Sequence, residues 1–400
     1  MNRRGRLDAV IAGGGVVGAA AALMLARQGW QVALVEPRQP PVWQRDVRDL
    51  RVFAFAPDNA ALLEELGVWG DVRAARVQPY RHMRVWDAGG GDALRFDADT
   101  LGQQQLGWII ENTVLVDALW RALPQAGVRL HCPAQVAALE QDSAGVRVGL
   151  DDGVQLEASL AIAADGGNSA LRTLAGVSVE RRDYHQQGLV AFVSSQQPHG
   201  FGCWQRFLPT GPVALLPFNA DGDAALDGRL GSIVWTLPTE EAQRLREVDG
   251  IHFEAELAQA FGGELGAFTL QSARAAFPLA RQLATSLLAD RVLLMGDAAH
   301  VVHPLAGQGV NLGLRDVSAL HAVVRDGQLR SADAVSDQTL ARWARTRKSE
   351  NAVNARAFEV INRVYSNDGL LPTFLRGHAL GIAGRLPPLT HALWRHAAGL

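Results

Sequence analysis

A short apolar run, Asp8-Ala9-Val10-Ile11-Ala12, leads at once into Gly13-Gly14-Gly15-Val16-Val17-Gly18. An alanine-rich segment follows, Gly29 stops it, and a second apolar run, Gln31 to Val35, ends in Glu36. No other feature constrains the chain as much. A buried strand, a GxGxxG turn, a helix from about Val17 to Gln28, a strand and an acid roughly 20 residues on are the parts of a dinucleotide-binding βαβ unit. In that unit the first two glycines allow a tight turn and close approach of a pyrophosphate. The third lets helix pack on strand, and the acid accepts ribose hydroxyls. Gly13, Gly15, Gly18 and Glu36 are therefore the expected cofactor contacts. The glycines also interrupt the apolar run Ala9 to Ala26, so strand, loop and helix are expected there rather than a signal peptide. No other stretch is long and uncharged enough to span a bilayer.

A second motif lies late in the chain. The apolar strand Arg291 to Met295 is followed by Gly296-Asp297-Ala298-Ala299-His300 and then by His303-Pro304-Leu305-Ala306-Gly307-Gln308-Gly309-Val310-Asn311. An acid at a strand tip can reach a sugar hydroxyl, and glycines let backbone approach a flat ligand. The amides of a following helix favour developing negative charge. A reduced flavin ring is one ligand that needs all three. His300 and His303 can titrate near neutrality; each can act as a base or order the loop around Pro304. Two histidines at i, i+3 with no third ligand do not suggest a metal. A third motif, Ala164-Asp165-Gly166-Gly167-Asn168-Ser169, ends the strand Ser159 to Ala163. It is not a GxSxG elbow, and Ser169 is expected to cap the helix carrying Arg172.

From Gly188 to Leu237 apolar strands alternate with Pro/Gly turns, the pattern of an antiparallel sheet. The reading is an α/β fold. A discontinuous Rossmann-like cofactor domain takes residues 1–75, 103–185 and 280–330. A largely antiparallel β-sheet substrate domain (76–102 and 186–279) is inserted, and the C-terminus, 331–400, is helical. The substrate pocket is expected between the inserted sheet and the cofactor. Pro217, Phe218, Trp235 and Phe277 stand on that sheet, and half of them are expected to be core. A net charge of -3 without a basic arm argues against nucleic acid as a partner. Cys132 and Cys203 make no CxxC and no zinc spacing, so a reduced compartment is expected. Gly369 to Leu400 has no acid but holds Arg376, Arg385, Arg395, three histidines, leucines and Trp394. That composition suits a peripheral membrane surface or a docking partner; the alternative is a helical pair closing the cofactor domain.

The stretch His303 to Asp316 matches a signature of the ubiquinone-biosynthesis hydroxylases at every fixed position. Leu66-Gly67-Val68-Trp69, Glu111-Asn112-Thr113-Val114 and Arg347-Lys348-Ser349-Glu350-Asn351 look like the same family. Along essentially its whole length the chain resembles these FAD-dependent aromatic hydroxylases, which share the p-hydroxybenzoate hydroxylase architecture. The resemblance implies an FAD-binding domain with tight, non-covalent FAD. Gly13, Gly15 and Gly18 would cradle the pyrophosphate and Glu36 the adenosine ribose. Arg51 would reach the phosphate region, where a planar guanidinium suits. Asn112 fills a slot where relatives carry Arg or Gln. Asp165 and Gly166 would serve FAD and the nicotinamide donor, and Asp297 the ribityl chain. Gly307, Gly309 and Asn311 would lie against the isoalloxazine, with His303 and Pro304 as the catalytic candidates.

The chemistry implied is ring hydroxylation through a flavin C4a-hydroperoxide, with O2 as co-substrate. NADPH or NADH would be a transient reductant, since no second GxGxxG is present. The implied substrate is a polyprenylphenol of ubiquinone biosynthesis. Ser232 to Arg244 looks most like the enzymes acting at C5 of a 2-polyprenylphenol. Pro79-Tyr80-Arg81 and Trp204 to Pro217 look more like the C6 enzymes, and C1 is the remaining position. Outside the pathway, the alternatives are a hydroxylase of a soluble aromatic and an FAD-stabilised scaffold subunit. Other quinone-biosynthesis proteins are expected partners, in the cytoplasm or peripherally on the inner face of the cytoplasmic membrane.

Overall fold

The computed structural model describes residues 6–142, 145–302, 308–325, 337–365, 394–395 and 398. The alanine-rich segment is a helix, Val16–Arg27, with every residue from Ala19 to Leu25 buried. A helix apolar all round has to be covered on all sides. It lies against the parallel strands Leu7–Ala12 and Val32–Val35 and the helices Asn112–Ala122 and Gln308–Val323. Gly18 permits the closest of these contacts: a Cβ there would sit 1.9 Å from the Gly13 carbonyl oxygen.

Among the described residues the first sheet has eight strands. Its main path runs Leu288–Ala289, Val292–Leu294, Gln155–Ala163, Leu7–Ala12, Val32–Val35, Arg129–His131. All neighbours after the first pair are parallel. Ala12 lies beside Val35 and Ala163, and Ala163 beside Leu294. Gly13, Glu36, Asp165 and Asp297 thus leave the carboxyl ends of four adjacent strands, where open α/β sheets bind their ligands.

The second sheet is largely antiparallel. Its path is His300–Val301, Ala275–Ala284, Val179–Ser195, Leu230–Pro238, Gly211–Pro217, Gly202–Leu208, His82–Asp87, Leu94–Asp97. One face carries Leu189, Ala191, Val193, Ile233 and Trp235 and is covered by the helices Thr239–Glu247 and Gly250–Ala260. The alternate residues, Val190, Val234 and Ala214 among them, face the other way and line a cavity. This alternation sorts the four expected pocket positions. Trp235 is core under the helices, Phe218 packs with Phe192 in a separate cluster, and Phe277 lines the cavity. Pro217 ends its strand away from the cavity wall. A three-stranded sheet of Val52–Phe55, Gly107–Glu111 and Val77–Tyr80 completes the β structure.

The chain crosses from one sheet to the other in a few residues. After Val292–Leu294 comes a 3-10 turn, Gly296–Ala298, and then His300–Val301 pairs with Leu283 and Gln282 of the second sheet. The described part of the helical C-terminus is Asp337–Tyr365. Of the basic segment, Trp394, Arg395 and Ala398 are described. Trp394 and Ala398 are buried against Ala98, Leu101 and Leu106. The Trp394 indole thus sits in an apolar socket formed by residues 98–106, where a large aromatic body gains from burial. No helix among the described residues is long and apolar enough to cross a membrane.

Candidate active site

The glycine loop meets the demands of a pyrophosphate. Gly13 has φ +100, and a Cβ on it would lie 2.3 Å from the Ala164 carbonyl oxygen, so only glycine fits. A Cβ on Gly15 would meet nothing within 4 Å. Gly15 is also the N-cap of helix Val16–Arg27, and no side chain caps that end. The first-turn amides therefore face open space, which is what an anionic ligand requires. Glu36 accepts from the Gly14 amide at 2.6 Å and the Arg38 amide at 3.1 Å, which ties the loop to the neighbouring strand end. Beneath the loop, the Trp120 indole donates to the Gly14 carbonyl at 2.7 Å. Asp165 accepts from the Leu171 amide through Oδ2, while its buried Oδ1 has no partner. Gly166 follows at φ +85 with open space around its Cα. Free amides, an acid at the second strand end and an unspent carboxylate oxygen fit the phosphates and sugar hydroxyls of an FAD.

Arg51 and Asn112 are brought together, through backbone: the Asn112 amide donates to the Arg51 carbonyl at 2.9 Å. The Arg51 side chain is exposed, 5.5 Å over the Phe53 ring, at the cavity wall. Asp49 accepts from the Arg51 and Thr113 amides. Behind it, Glu111 accepts from the Asp49 amide and pairs with Arg76 at 2.8 Å. Arg76 also donates to the Arg45 and Val47 carbonyls. This buried pair fixes the whole Arg45–Arg51 loop. Its members are 35 residues apart in sequence, and charged residues beside apolar strands were the only signal of it.

Asp297 stands at the junction of two spaces. It leaves the fourth strand end, and it lines a cavity of about 580 Å³. The cavity's floor is the second sheet, one wall is Asp49 to Phe53, and the opposite side is Val301, Val302, Gly309 and Val310. Gly309 lies in the first turn of helix Gln308–Val323, and a Cβ on it would meet nothing within 4 Å. Asn311 is placed differently from a flavin contact. Its side chain accepts from the Ala56 amide and Asn59 and donates to the Ala54 carbonyl. It anchors the helix start to the neighbouring turn, and its carbonyl also accepts from the Asn59 side chain at 3.3 Å. His303, Pro304 and Gly307 lie outside the described residues.

His300 is wholly buried, and its Nε2 meets Asp316 at 2.6 Å. Asp316 also accepts from the Gly296 amide at 3.0 Å, Arg347 at 2.8 Å and Asn351 at 3.3 Å. Burial alone would raise the Asp316 carboxyl. The His300 ring, Arg347 and the Gly296 amide outweigh it and hold the group at about 2. His300, through Asp316, thus helps to hold the Gly296–Asp297 corner in place. Arg172, capped as expected by Ser169, fixes the same corner from the other side. It donates to the Ala298 and Gly167 carbonyls, both at 2.9 Å.

The chain is similar to known proteins in sequence and in fold. Residues 6–326 match the model of a family described as FAD binding domain. The 3-demethoxyubiquinol 3-hydroxylase of Escherichia coli (strain K12) is 35% identical over 98% of this chain and 98% of its own. Ubiquinone hydroxylase UbiL of Rhodospirillum rubrum is 33% identical over 98% and 89%. Among solved structures, p-nitrophenol 4-monooxygenase PnpA from Pseudomonas putida DLL-E4 superposes with a TM-score of 0.75 at 19% identity, covering 97% of this chain and 96% of that one. At that identity the likeness is one of fold.

Proposed function

The chain belongs to the FAD-dependent aromatic hydroxylase family, a class of flavoprotein monooxygenases working with FAD, O2 and a nicotinamide reductant, and we propose that it hydroxylates the ring of a polyprenylated phenol in ubiquinone biosynthesis. The ring position we propose is C5 of a 2-polyprenylphenol. A second reading, hydroxylation of a demethoxyubiquinol, is favoured by the name of the relative at 35% identity. The observation that carries the reading is the continuity of dinucleotide crevice and apolar cavity at Asp297. A cofactor held by the strand ends reaches, through that corner, a space large enough for a substituted ring.

When bound, FAD supplies the reduction of O2 and delivery of one oxygen atom to the ring, the other leaving as water. This chain's own residues do the rest. Gly13, Gly15 and Gly18 shape the pyrophosphate loop, Glu36 and Asp165 offer carboxylates to sugar hydroxyls, and Asp297 takes the ribityl chain. The amides at Gly309 and Val310, at a helix N-terminus, would favour negative charge on a ring held beside them. Val190, Val234 and Leu279 exclude water from the cavity, which protects a reactive oxygen donor from wasteful decay. His303 and Pro304 complete our proposed catalytic set.

Deletion of the gene followed by mass spectrometry of extracted quinone lipids tests the assignment. Accumulation of a polyprenylphenol without added ring oxygens supports C5, and accumulated demethoxyubiquinone moves the enzyme to the second reading. Unchanged ubiquinone overturns both. We also propose peripheral membrane contact through residues 369–400, carried by basic residues such as the exposed Arg395 rather than by the docked Trp394. Co-sedimentation with anionic vesicles should then fall as salt rises; salt-independent or absent binding removes it.

A further inference from the structure

The cavity floor can be followed row by row across the second sheet. Gln205 pairs with Ala214, Ala214 with Val234, Val234 with Val190, and Val190 with Ala275. Two residues along, Thr236 pairs with Gly188 and Gly188 with Phe277. Small side chains make this floor flat, and Gly188 flattens it further, since a Cβ there would lie 2.9 Å from the Phe277 ring. Phe277 is 39% exposed and marks the open edge. Gln205, four strands away, is 7% exposed.

Gln205 and Thr236 are the polar side chains of this floor. Thr236 is 3% exposed, and both line the cavity. Neither side chain makes a hydrogen bond within the chain among the described residues, whereas other buried amides do, as Asn59, Asn311 and Gln282 show. The neighbours of Gln205 on the same strand face are Cys203, in an apolar cluster with Leu216 and Phe218, and Phe207, packed with Val85 and Leu94. Gln205 and Thr236 therefore present polar groups to the cavity from an otherwise apolar floor, where a bound ligand can complete the hydrogen bonds that the protein leaves unmade.

We propose that Gln205, with Thr236 as a second anchor, receives the ring oxygens of the aromatic substrate and so decides which ring carbon is presented to the Asp297–Gly309 side. The proposal rests on the hydroxylase reading above. An amide and a hydroxyl each donate and accept, so the pair can hold a phenol hydroxyl as well as an ether oxygen. They stand two strands and two residues apart, about 12 Å by ordinary sheet spacings. That distance spans a substituted ring with a hydrogen bond at each end. The apolar substituent of such a ring then trails toward Phe277.

The test uses the FAD-loaded enzyme titrated with 2-prenylphenol carrying one isoprene unit, and with its O-methyl ether, followed by the change in flavin absorbance. Wild type is expected to prefer the phenol. Gln205→Leu should bind the phenol about tenfold more weakly, lose less on the ether, which accepts but cannot donate, and keep full FAD content. Thr236→Val should lose about threefold on the same substrate. Unchanged phenol binding in Gln205→Leu overturns the proposal, as does an equal loss for phenol and ether, which marks a purely structural role. A wild type that carries FAD yet binds neither compound overturns the hydroxylase reading itself, and the two failures are thereby told apart.

Discussion

The crevice at the ends of the parallel strands and the floor on the antiparallel sheet adjoin, yet they are made of different material. The crevice is built of backbone: free helix amides at Gly15, a positive φ at Gly13, and acids at strand tips. The floor is built of side chains on alternate residues, such as Val190, Val234 and Ala214. A site made of backbone has no tolerance for an added atom, because main chain cannot step aside. A floor of side chains absorbs a methyl group by small rotations. The first should break sharply under substitution, the second gradually.

The largest effect is expected behind the crevice. Arg347→Met leaves the buried Asp316 with one cationic neighbour fewer and should cost about 3–5 kcal/mol, read as a lower denaturation midpoint together with lost FAD. Acid sharpens this. The folded pKa of Asp316 lies below its unfolded value, so its contribution is complete above about pH 4 and drains as pH falls toward about 2. Asp316→Asn should flatten that part of the stability profile. Next comes Gly18→Val, where the clash with the Gly13 carbonyl should cost about 3 kcal/mol and empty the protein of FAD. Asp297→Ala should leave the fold intact and weaken FAD by about 1.5–3 kcal/mol, measured by fluorescence titration. Normal FAD affinity in that variant would detach Asp297 from the cofactor. The smallest effect belongs to the floor. Phe277→Ala should cost under about 1 kcal/mol in stability, leave FAD content unchanged and shift KM for the aromatic a few-fold. If Phe277→Ala instead empties the flavin site, the contrast between the two regions is wrong.

This contrast also explains what could be read from the sequence. Gly13, Gly18 and Asp297 were legible because a turn with positive φ, a close helix contact and a strand-tip acid each demand one residue type at one spacing. The same reasoning foresaw the parallel sheet and the cap at Ser169. Phe277 is legible only as one aromatic or rigid position among four, since a strand's period of two is the same for a cavity wall as for a core. Trp235 and Phe277 differ by which face their strands present, and that depends on register set by residues elsewhere in the chain. Gln205 carries no signal in the sequence for a related reason. An amide in an apolar strand signals function only once its lack of partners is known, and partners are a property of the fold. Asn311 shows the reverse: a motif position next to a flavin loop whose side chain is spent on Ala54, Ala56 and Asn59.

The order in which the four strand ends occur along the chain has a consequence for synthesis. Gly13, Glu36 and Asp165 come early, and their strands can pair as soon as Gln155–Ala163 has emerged. Asp297 follows only after the chain has made most of the second sheet. At ordinary elongation speeds that interval is on the order of 10 s. During it the ribosome holds a chain with a pyrophosphate loop but no corner to close over the far end of the ligand. Grip on the whole cofactor is thus expected to be a late event in the life of the nascent protein.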